Sequence, residues 1–325
     1  MQAIFELSGE HPTLPVAEIR AIFEGENIKY KEIHHNRIYI AEIEDKFDSL
    51  ENIARRISMS FSIGDLIAEG NEEEVMNALK KMKMQGDFKI EVKKFDKSYS
   101  STIIKKKFGG ELKKAGYKIN LKKPMNIIKI FSGKKFYLSR QIYEIDRHGF
   151  EKRKEKPFEL PITMHPRLAR AITNLARIKK DSIVADPFCG TGSILIEASL
   201  MGAKVVGIEA KEWIAEGCVA NMEYFGIRNY KIYSDDMRNV DLNVDAVVTD
   251  FPYGRASYLS DEMKKLYEEA FKKIHEWIEY NKYAIVGIAN KEMIKIGKKY
   301  FELIEIHPYR VHKSLTRFFC IFKKK

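Results

Sequence analysis

Apolar positions follow two rhythms, one before residue 160 and another after it. In the first part, short apolar runs alternate with helical spacings. Residues 3–7 form an apolar run, 8–12 are turn-rich, and 14–23 place apolar side chains at helical intervals. Residues 37–41 read as a strand and 50–59 as a helix, which suggests a small α+β unit. The style then repeats, with helices over 75–84 and 101–115 and strands over 88–95, 126–131 and 135–143. Residues 147–160 are charged, lack periodicity and read as a linker.

From residue 161 strands and helices alternate. The strands fall at 182–186, 203–209, 230–235, 245–250, 283–289, 301–307 and 317–322, the helices at 167–177, 193–201, 211–224 and 261–280. Runs such as Ala246-Val247-Val248 and Ala284-Ile285-Val286-Gly287-Ile288 suit strands buried on both faces. The pattern predicts an α/β fold, an open, mostly parallel, doubly wound sheet. The last two strands have no helix between them and suggest a terminal antiparallel hairpin.

Composition narrows the setting. The chain has 325 residues, enough for two or three domains, with 45% hydrophobic and 32% charged residues. It has no run of eighteen apolar residues and no secretory start, so neither a membrane span nor export is expected. Cys189, Cys218 and Cys320 are too few for a disulfide framework and lack metal-ligand spacing, so no metal is expected and a cytoplasmic location fits. Abundant Lys, Glu and Ile with little Gln lean toward life at high temperature. Net charge is +11, unevenly spread: residues 1–75 carry −9, 76–160 carry +15 and 161–325 carry +5. The basic middle segment makes a polyanionic partner plausible. Lys105, Lys106, Lys107, Lys113 and Lys114 on one predicted helix, with Arg167 and Arg170, are candidate phosphate contacts.

Four constellations end successive strands of the second part. Asp186 to Gly192 (Asp-Pro-Phe-Cys-Gly-Thr-Gly) lies between a strand and a helix, where doubly wound sheets bind ligands. Its glycines, Gly190 and Gly192, let backbone approach a ligand. It lacks the Gly-Lys-Ser/Thr of a phosphate loop and the full spacing of a dinucleotide fingerprint. The leading Asp favours a cationic feature on the ligand, such as the amino group of S-adenosylmethionine. Glu209 ends the next strand, where an acid accepts hydrogen bonds from ribose hydroxyls. Asp235, Asp236 and Met237 end the third; either acid could receive an adenine amino group, with Asp236 preferred. Asp250, Phe251, Pro252 and Tyr253 end the fourth, where a carboxylate and a carbonyl could hold an exocyclic amine and Tyr253 could stack on its base.

Asp-Phe-Pro-Tyr resembles the (Asp/Asn)-Pro-Pro-Tyr motif of amino-group methyltransferases acting on nucleic acid, and Asp186 to Gly192 resembles their cofactor loop. Together they resemble the Rossmann-fold methyltransferases that carry a THUMP RNA-binding domain. Within that group the chain is most similar to the archaeal tRNA (guanine-N2) dimethyltransferases acting on guanosine 10. Leu7 to Pro12 with Leu14, Met164 to Ala171, Arg255, and Ser314 to Arg317 carry the likeness outward along the chain. The resemblance implies a ferredoxin-like domain over 1–60, a THUMP domain over 61–146, a linker over 147–160 and a methyltransferase domain over 161–325. It implies one or two methyls passed from S-adenosylmethionine to guanine N2 of tRNA. It places Asp186, Phe188, Gly190, Thr191, Gly192, Glu209, Asp235, Asp236 and Met237 around the cofactor. It places Asp250, Phe251, Pro252 and Tyr253 at the base, and Arg255 with the basic residues named above on RNA. A sibling group acts with a small zinc-containing activator subunit; such a partner is possible here, neither required nor excluded by the sequence.

One departure from the family stands out: Phe251 replaces the first Pro of the motif. A backbone carbonyl survives that change, but the φ restraint of Pro is lost. Two further readings remain from the sequence. One is a methyltransferase for another tRNA or rRNA guanine or for a DNA adenine. The other is an inactive RNA-binding protein.

Overall fold

The computed structural model describes residues 1–325 except 45, 46, 162, 253–260 and 314. The first part runs β1 (Gln2–Leu7), α1 (Leu14–Gly25), β2 (Tyr30–His35), β3 (Ile38–Ile43), α2 (Phe47–Arg56), β4 (Ser60–Gly70), α3 (Glu72–Lys81), β5 (Phe88–Lys94), α4 (Ser101–Lys114), β6 (Asn126–Ser132) and β7 (Phe136–Glu144). The second runs α5 (Arg147–Lys152), α6 (Pro166–Leu175), β8 (Ile183–Asp186), α7 (Ser193–Leu200), β9 (Lys204–Glu209), α8 (Glu212–Tyr224), β10 (Tyr230–Ser234) and β11 (Val244–Asp250). It closes with α9 (Asp261–Trp277), β12 (Ile278–Ile288), α10 (Ile294–Gly297), β13 (Glu302–His312) and β14 (Leu315–Lys323). The described chain forms two compact units: Met1–Gly9, Ile28–Arg55 and Ser60–Ile145 in one, Glu10–Asn27, Arg56–Met59 and Asp146–Lys325 in the other.

The first unit is a seven-stranded sheet in the order β2-β3-β1-β4-β7-β6-β5. Strands from 1–60 and from 61–146, expected in separate domains, share that sheet, because β4 pairs with both β1 and β7. Helix α3 begins with a reciprocal cap between Asn71 and Glu74, which satisfies two backbone donors at its start. Val75 and Leu79 of α3 and Phe108 and Leu112 of α4 bury against Phe88, Ile128, Ile130 and Leu138 of the sheet. Lys129 is buried in the sheet and donates to Glu6 Oε2 (2.6 Å) and Ser62 Oγ (2.7 Å), so its charge is compensated where it cannot reach water.

The second unit is a doubly wound sheet in the order β10-β9-β8-β11-β12-β14-β13. The first five strands are parallel, and β14 and β13 complete the sheet antiparallel, as the terminal hairpin predicts. Ala185, Val247, Ala284 and Val286 face one core layer, and Val184, Ala246, Val248 and Ile285 face the other. That two-sided burial is why these strands read as continuous apolar runs. The expected linker over 147–160 opens with α5.

Helix α1 belongs to this second unit although it lies between strands of the first. Its fully buried Glu18 accepts from the Ser58 amide (2.9 Å), the Ser58 hydroxyl (2.8 Å), the Met59 amide (2.8 Å) and Asn174 Nδ2 of α6 (2.9 Å). Burial raises the Glu18 pKa, and these hydrogen bonds oppose the rise.

Helix α6 corrects one expectation. Arg167 and Arg170 are 4% exposed and are not surface phosphate contacts. Arg167 donates to Glu10 and to the Ser58 carbonyl, and Arg170 Nε donates to Glu197 Oε2 (2.8 Å). Glu197 on α7 also accepts from Arg153 Nε (2.7 Å). A guanidinium this far from water needs a carboxylate beside it, and a phosphate could not reach it. His165 caps α6 by accepting the Arg167 amide at Nδ1 (3.1 Å). Glu197→Ala leaves the buried Arg170 and the half-buried Arg153 without their carboxylate and should cost about 3–5 kcal/mol in urea unfolding. A loss under about 1 kcal/mol, the worth of an exposed pair, would contradict the structural role given to it.

Candidate functional site

In a parallel sheet every strand delivers its carboxyl end to the same edge. Four consecutive strands, β8 to β11, end there on or beside an acid: Asp186, Glu209, Asp235 with Asp236, and Asp250. Between these ends lies a cavity of about 520 Å³. That is within the range of roughly 300–1,000 Å³ usual for small-molecule sites. Asp186, Phe188, Gly190, Thr191, Glu209, Asp235, Asp236, Met237, Asp250, Phe251 and Pro252 all line it, so almost the whole predicted set is gathered in one place.

The loop after β8 is shaped by its glycines. Gly192 takes a φ of +81° at the start of α7, and a Cβ there would meet the Cys218 sulfur at 2.7 Å. Only glycine fits both constraints. Gly192 supports the loop and does not line the cavity. Asp186 is 2% exposed and accepts the Phe188 amide at Oδ1 (3.1 Å). Burial raises its pKa to about 7, with the charges of Asp250 and Glu209 adding to the rise. Such a carboxyl is poised for a cation.

Glu209 uses Oε1 to accept the Lys211 amide (3.1 Å). Asp236 caps the short turn Met237–Asn239 and is clasped by Arg238, whose Nε donates to Oδ1 (2.8 Å) and Nη2 to Oδ2 (2.6 Å). The Arg238 hydrogen bonds lower its pKa, so it stays an acceptor. Asp235 accepts from its neighbour's amide (2.6 Å) and from Asn239 Nδ2 (2.9 Å). Phe188, Met237, Ile214 and Leu266 supply an apolar lining between the acids.

At the end of β11, Asp250 pairs with Gly287 of β12, and Arg317 Nη2 reaches Asp250 Oδ2 at 3.0 Å. Burial raises the Asp250 pKa to about 6 and Arg317 opposes the rise. The Phe251 side chain turns into the core, 1% exposed, with ring centroids 4.7 Å from Tyr267, 5.1 Å from Phe271 and 5.2 Å from Phe188. Its amide donates to the Gly287 carbonyl (2.9 Å), a bond that proline could not make. The rigidity that the family's first Pro would give is here replaced by an extra ladder bond and an aromatic cage. The Pro252 carbonyl accepts from the Tyr267 hydroxyl (3.3 Å). Tyr253 and Arg255 lie outside the described residues.

Several lining residues were given no site role from sequence: Leu160, Thr163, Lys211, Arg238 and Arg317, the last named only as part of the Ser314–Arg317 likeness. Thr163 comes from the end of the charged segment and touches Thr191 Oγ1 at 3.2 Å. That segment is held in place by Asn221 of α8, which exchanges hydrogen bonds with the Phe158 backbone (2.9 and 2.8 Å). No periodicity marks such a strap in the sequence. In the other unit, Lys105, Lys106, Lys107, Lys113 and Lys114 are exposed on α4. Lys107 pairs with Glu72 (2.6 Å) and Lys114 with Glu111 (2.7 Å). Among the described residues no group of three or more His, Cys, Asp or Glu is arranged to hold a metal, and no helix is long and apolar enough to cross a membrane.

Comparison with known proteins places this geometry. Residues 153–318 match the RMKL-like methyltransferase domain family, and residues 26–220 match a DNA methylase family. The chain is 29% identical to the tRNA (guanine(10)-N2)-dimethyltransferase of Methanothermobacter thermautotrophicus, covering 100% of both chains. It is 30% identical to the enzyme of that name from Pyrococcus abyssi, covering 98% of this chain and 99% of the other. The crystal structure of TrmN from Thermus thermophilus superposes with a TM-score of 0.61 at 17% identity over 100% of both chains, a likeness of fold. On this full-length relatedness, and with an RMKL-like domain that contains all four strand-end acids, the chain is a methyltransferase belonging to the tRNA (guanine(10)-N2)-dimethyltransferase family.

Proposed function

We propose that the chain methylates the N2 amino group of guanosine 10 in tRNA, once or twice, in the cytoplasm, with S-adenosylmethionine as methyl donor. One observation carries the reading: acids at four consecutive strand ends share a cavity in which the last, Asp250, sits beside the Phe251 carbonyl. The first three suit the donor. Asp186 would take its ammonium group, Glu209 its ribose hydroxyls, and Asp236 or Asp235 its adenine amino group, with Phe188 and Met237 against the adenine ring. When bound, S-adenosylmethionine supplies an electrophilic methyl on a positively charged sulfur.

The chain's own task is to present the amine. A guanine N2 is a poor nucleophile because its lone pair is delocalised into the ring. The Asp250 carboxylate and the Phe251 carbonyl can accept its two N–H hydrogens and aim the nitrogen along one line. Alignment of this kind accounts for up to about 7–11 kcal/mol of a barrier at best. Burial keeps those hydrogen bonds strong. Once methylated the nitrogen is strongly acidic, so no strong base is required, and the Asp250 carboxylate, its pKa raised to about 6, suffices to receive the proton. We assign Tyr253 to stacking on the base, and Arg255 with the exposed lysines of α4 to the RNA backbone. The DNA methylase match ends at residue 220, before Asp250, so it bears on the cofactor loop and not on the amine site.

Two outcomes follow. Asp250→Ala should lower methyl transfer by about 10²–10³-fold, the scale for losing one preorganised polar contact. Cofactor affinity measured by calorimetry should stay nearly unchanged, and a fully active variant would remove Asp250 from its role. The second concerns pH. A bound ammonium lowers the Asp186 pKa below its free value of about 7, so binding favours the ionised form. Affinity for S-adenosylmethionine should therefore fall as pH drops through about 7, by up to about tenfold per unit, with protons released on binding between the lower bound pKa and about 7. Affinity flat across that range would show that Asp186 does not meet the ammonium. The substrate assignment is tested with two tRNA transcripts, one carrying G10 and one carrying A10. Incorporation should occur only with G10; equal incorporation into both would place the target elsewhere.

A further inference from the structure

Among the described residues, Arg317 is the one cationic side chain from the terminal hairpin that reaches the cavity. Strand β14 runs antiparallel to β12, with Ile288 opposite Phe318 and Gly287 opposite Phe319. Its first residues therefore lie at the edge where the parallel strands finish. Arg317, one residue before Phe318, arrives beside the end of β11, and its side chain is 6% exposed there. Its Nη2 holds Asp250 Oδ2 at 3.0 Å. The other carboxylate oxygen is seated over Gly287, where an added Cβ would lie 2.4 Å from Oδ1. One oxygen is tied and the other is packed against backbone, so the carboxylate keeps one orientation.

That orientation matters to the reaction more than to the fold. An amine aimed at an electrophile needs acceptors at fixed positions, and an ionised carboxylate accepts where a protonated one would also donate. The titratable and charged groups set against Asp250 by the surrounding elements are Asp186 on β8, Tyr267 on α9 and Arg317 on β14. Asp186 and Tyr267 are acids, so Arg317 alone among these three favours the charged form of Asp250.

We propose that Arg317 is a positioning residue for methyl transfer, holding the Asp250 carboxylate in the orientation and charge state that accept the amino group. The proposal rests on the reading that Asp250 receives the amine. Its test compares the full chain with Arg317→Gln, Arg317→Lys and Asp250→Ala. Single-turnover methylation of tRNA is followed from about pH 5 to about pH 9 with saturating S-adenosylmethionine, so that Asp186 is already engaged.

In the unaltered chain the rate should fall on the acid side near pH 6, where Asp250 titrates. Arg317→Gln should move that limb upward by about 1–3 pH units, the range by which an adjacent guanidinium lowers an Asp pKa. Its plateau rate should drop about 10–100-fold through misplacement, with cofactor affinity close to that of the parent and a melting temperature lowered by the loss of a buried pair. Arg317→Lys keeps the charge and should restore the limb while recovering only part of the rate. An unmoved limb and a normal plateau in Arg317→Gln, with Asp250→Ala inactive, would overturn the positioning role and leave the amine site standing. An active Asp250→Ala would overturn both. A rate loss in both Arg317 variants that tracks melting temperature, with the limb unmoved, would make Arg317 a structural residue only.

Discussion

The site depends on a constraint of the parallel sheet: strands that run together must end together. Four strand ends bring Asp186, Glu209, Asp235, Asp236 and Asp250 to one edge of the second unit, around a single cavity. Burial raises the pKa of Asp186 to about 7 and that of Asp250 to about 6, and at Asp186 the charges of Asp250 and Glu209 add to the rise. The chain answers with two guanidiniums, Arg238 on Asp236 and Arg317 on Asp250. Among the described residues no cation bears on Asp186: the Phe188 amide and Thr249 favour its ionised form, and Asp250 and Glu209 oppose it. A ligand that brings positive charge would balance its carboxylate.

The same logic divides work between the units. A strongly acidic cavity would repel an RNA phosphate chain, yet the chain as a whole carries +11. The excess sits in residues 76–160, and the α4 lysines display it on the first unit. Charge that attracts a polyanion is kept apart along the sequence from charge that holds a cationic donor. Phosphate contacts position an RNA and carry little sequence information. On the proposed function, choice of the base falls to the end of β11, where Asp250 and the Phe251 carbonyl would meet the amine.

The second unit was legible in the sequence because burial on both faces writes strands as unbroken apolar runs. The elements at 182–186, 203–209 and 245–250 carried their terminal acids with them, so the acids of the cavity followed from strand ends. The first unit was harder. Strand β2 (Tyr-Lys-Glu-Ile-His-His) is an edge strand with too little buried surface to show a pattern. Strand β4 mixes Gly64, Asp65 and half-buried residues and shows no clean alternation. Arg167 and Arg170 misled because an amphipathic helix is assumed to turn its polar face to water. In α6 that face meets Glu10, Glu197 and the Ser58 carbonyl, partners distant in sequence. Arg317 escaped for a related reason: its value lies in an antiparallel register that only the assembled sheet reveals.

The central claim is that this edge of the sheet holds an exocyclic guanine amine in line with a methyl donor. The most direct measurement is nucleoside mass spectrometry of unmodified tRNA after incubation with the purified chain and labelled S-adenosylmethionine. Labelled N2-methylguanosine, N2,N2-dimethylguanosine or both, with no other labelled nucleoside, is the expected result. Label in N6-methyladenosine, or cofactor binding without any labelled nucleoside, would contradict it.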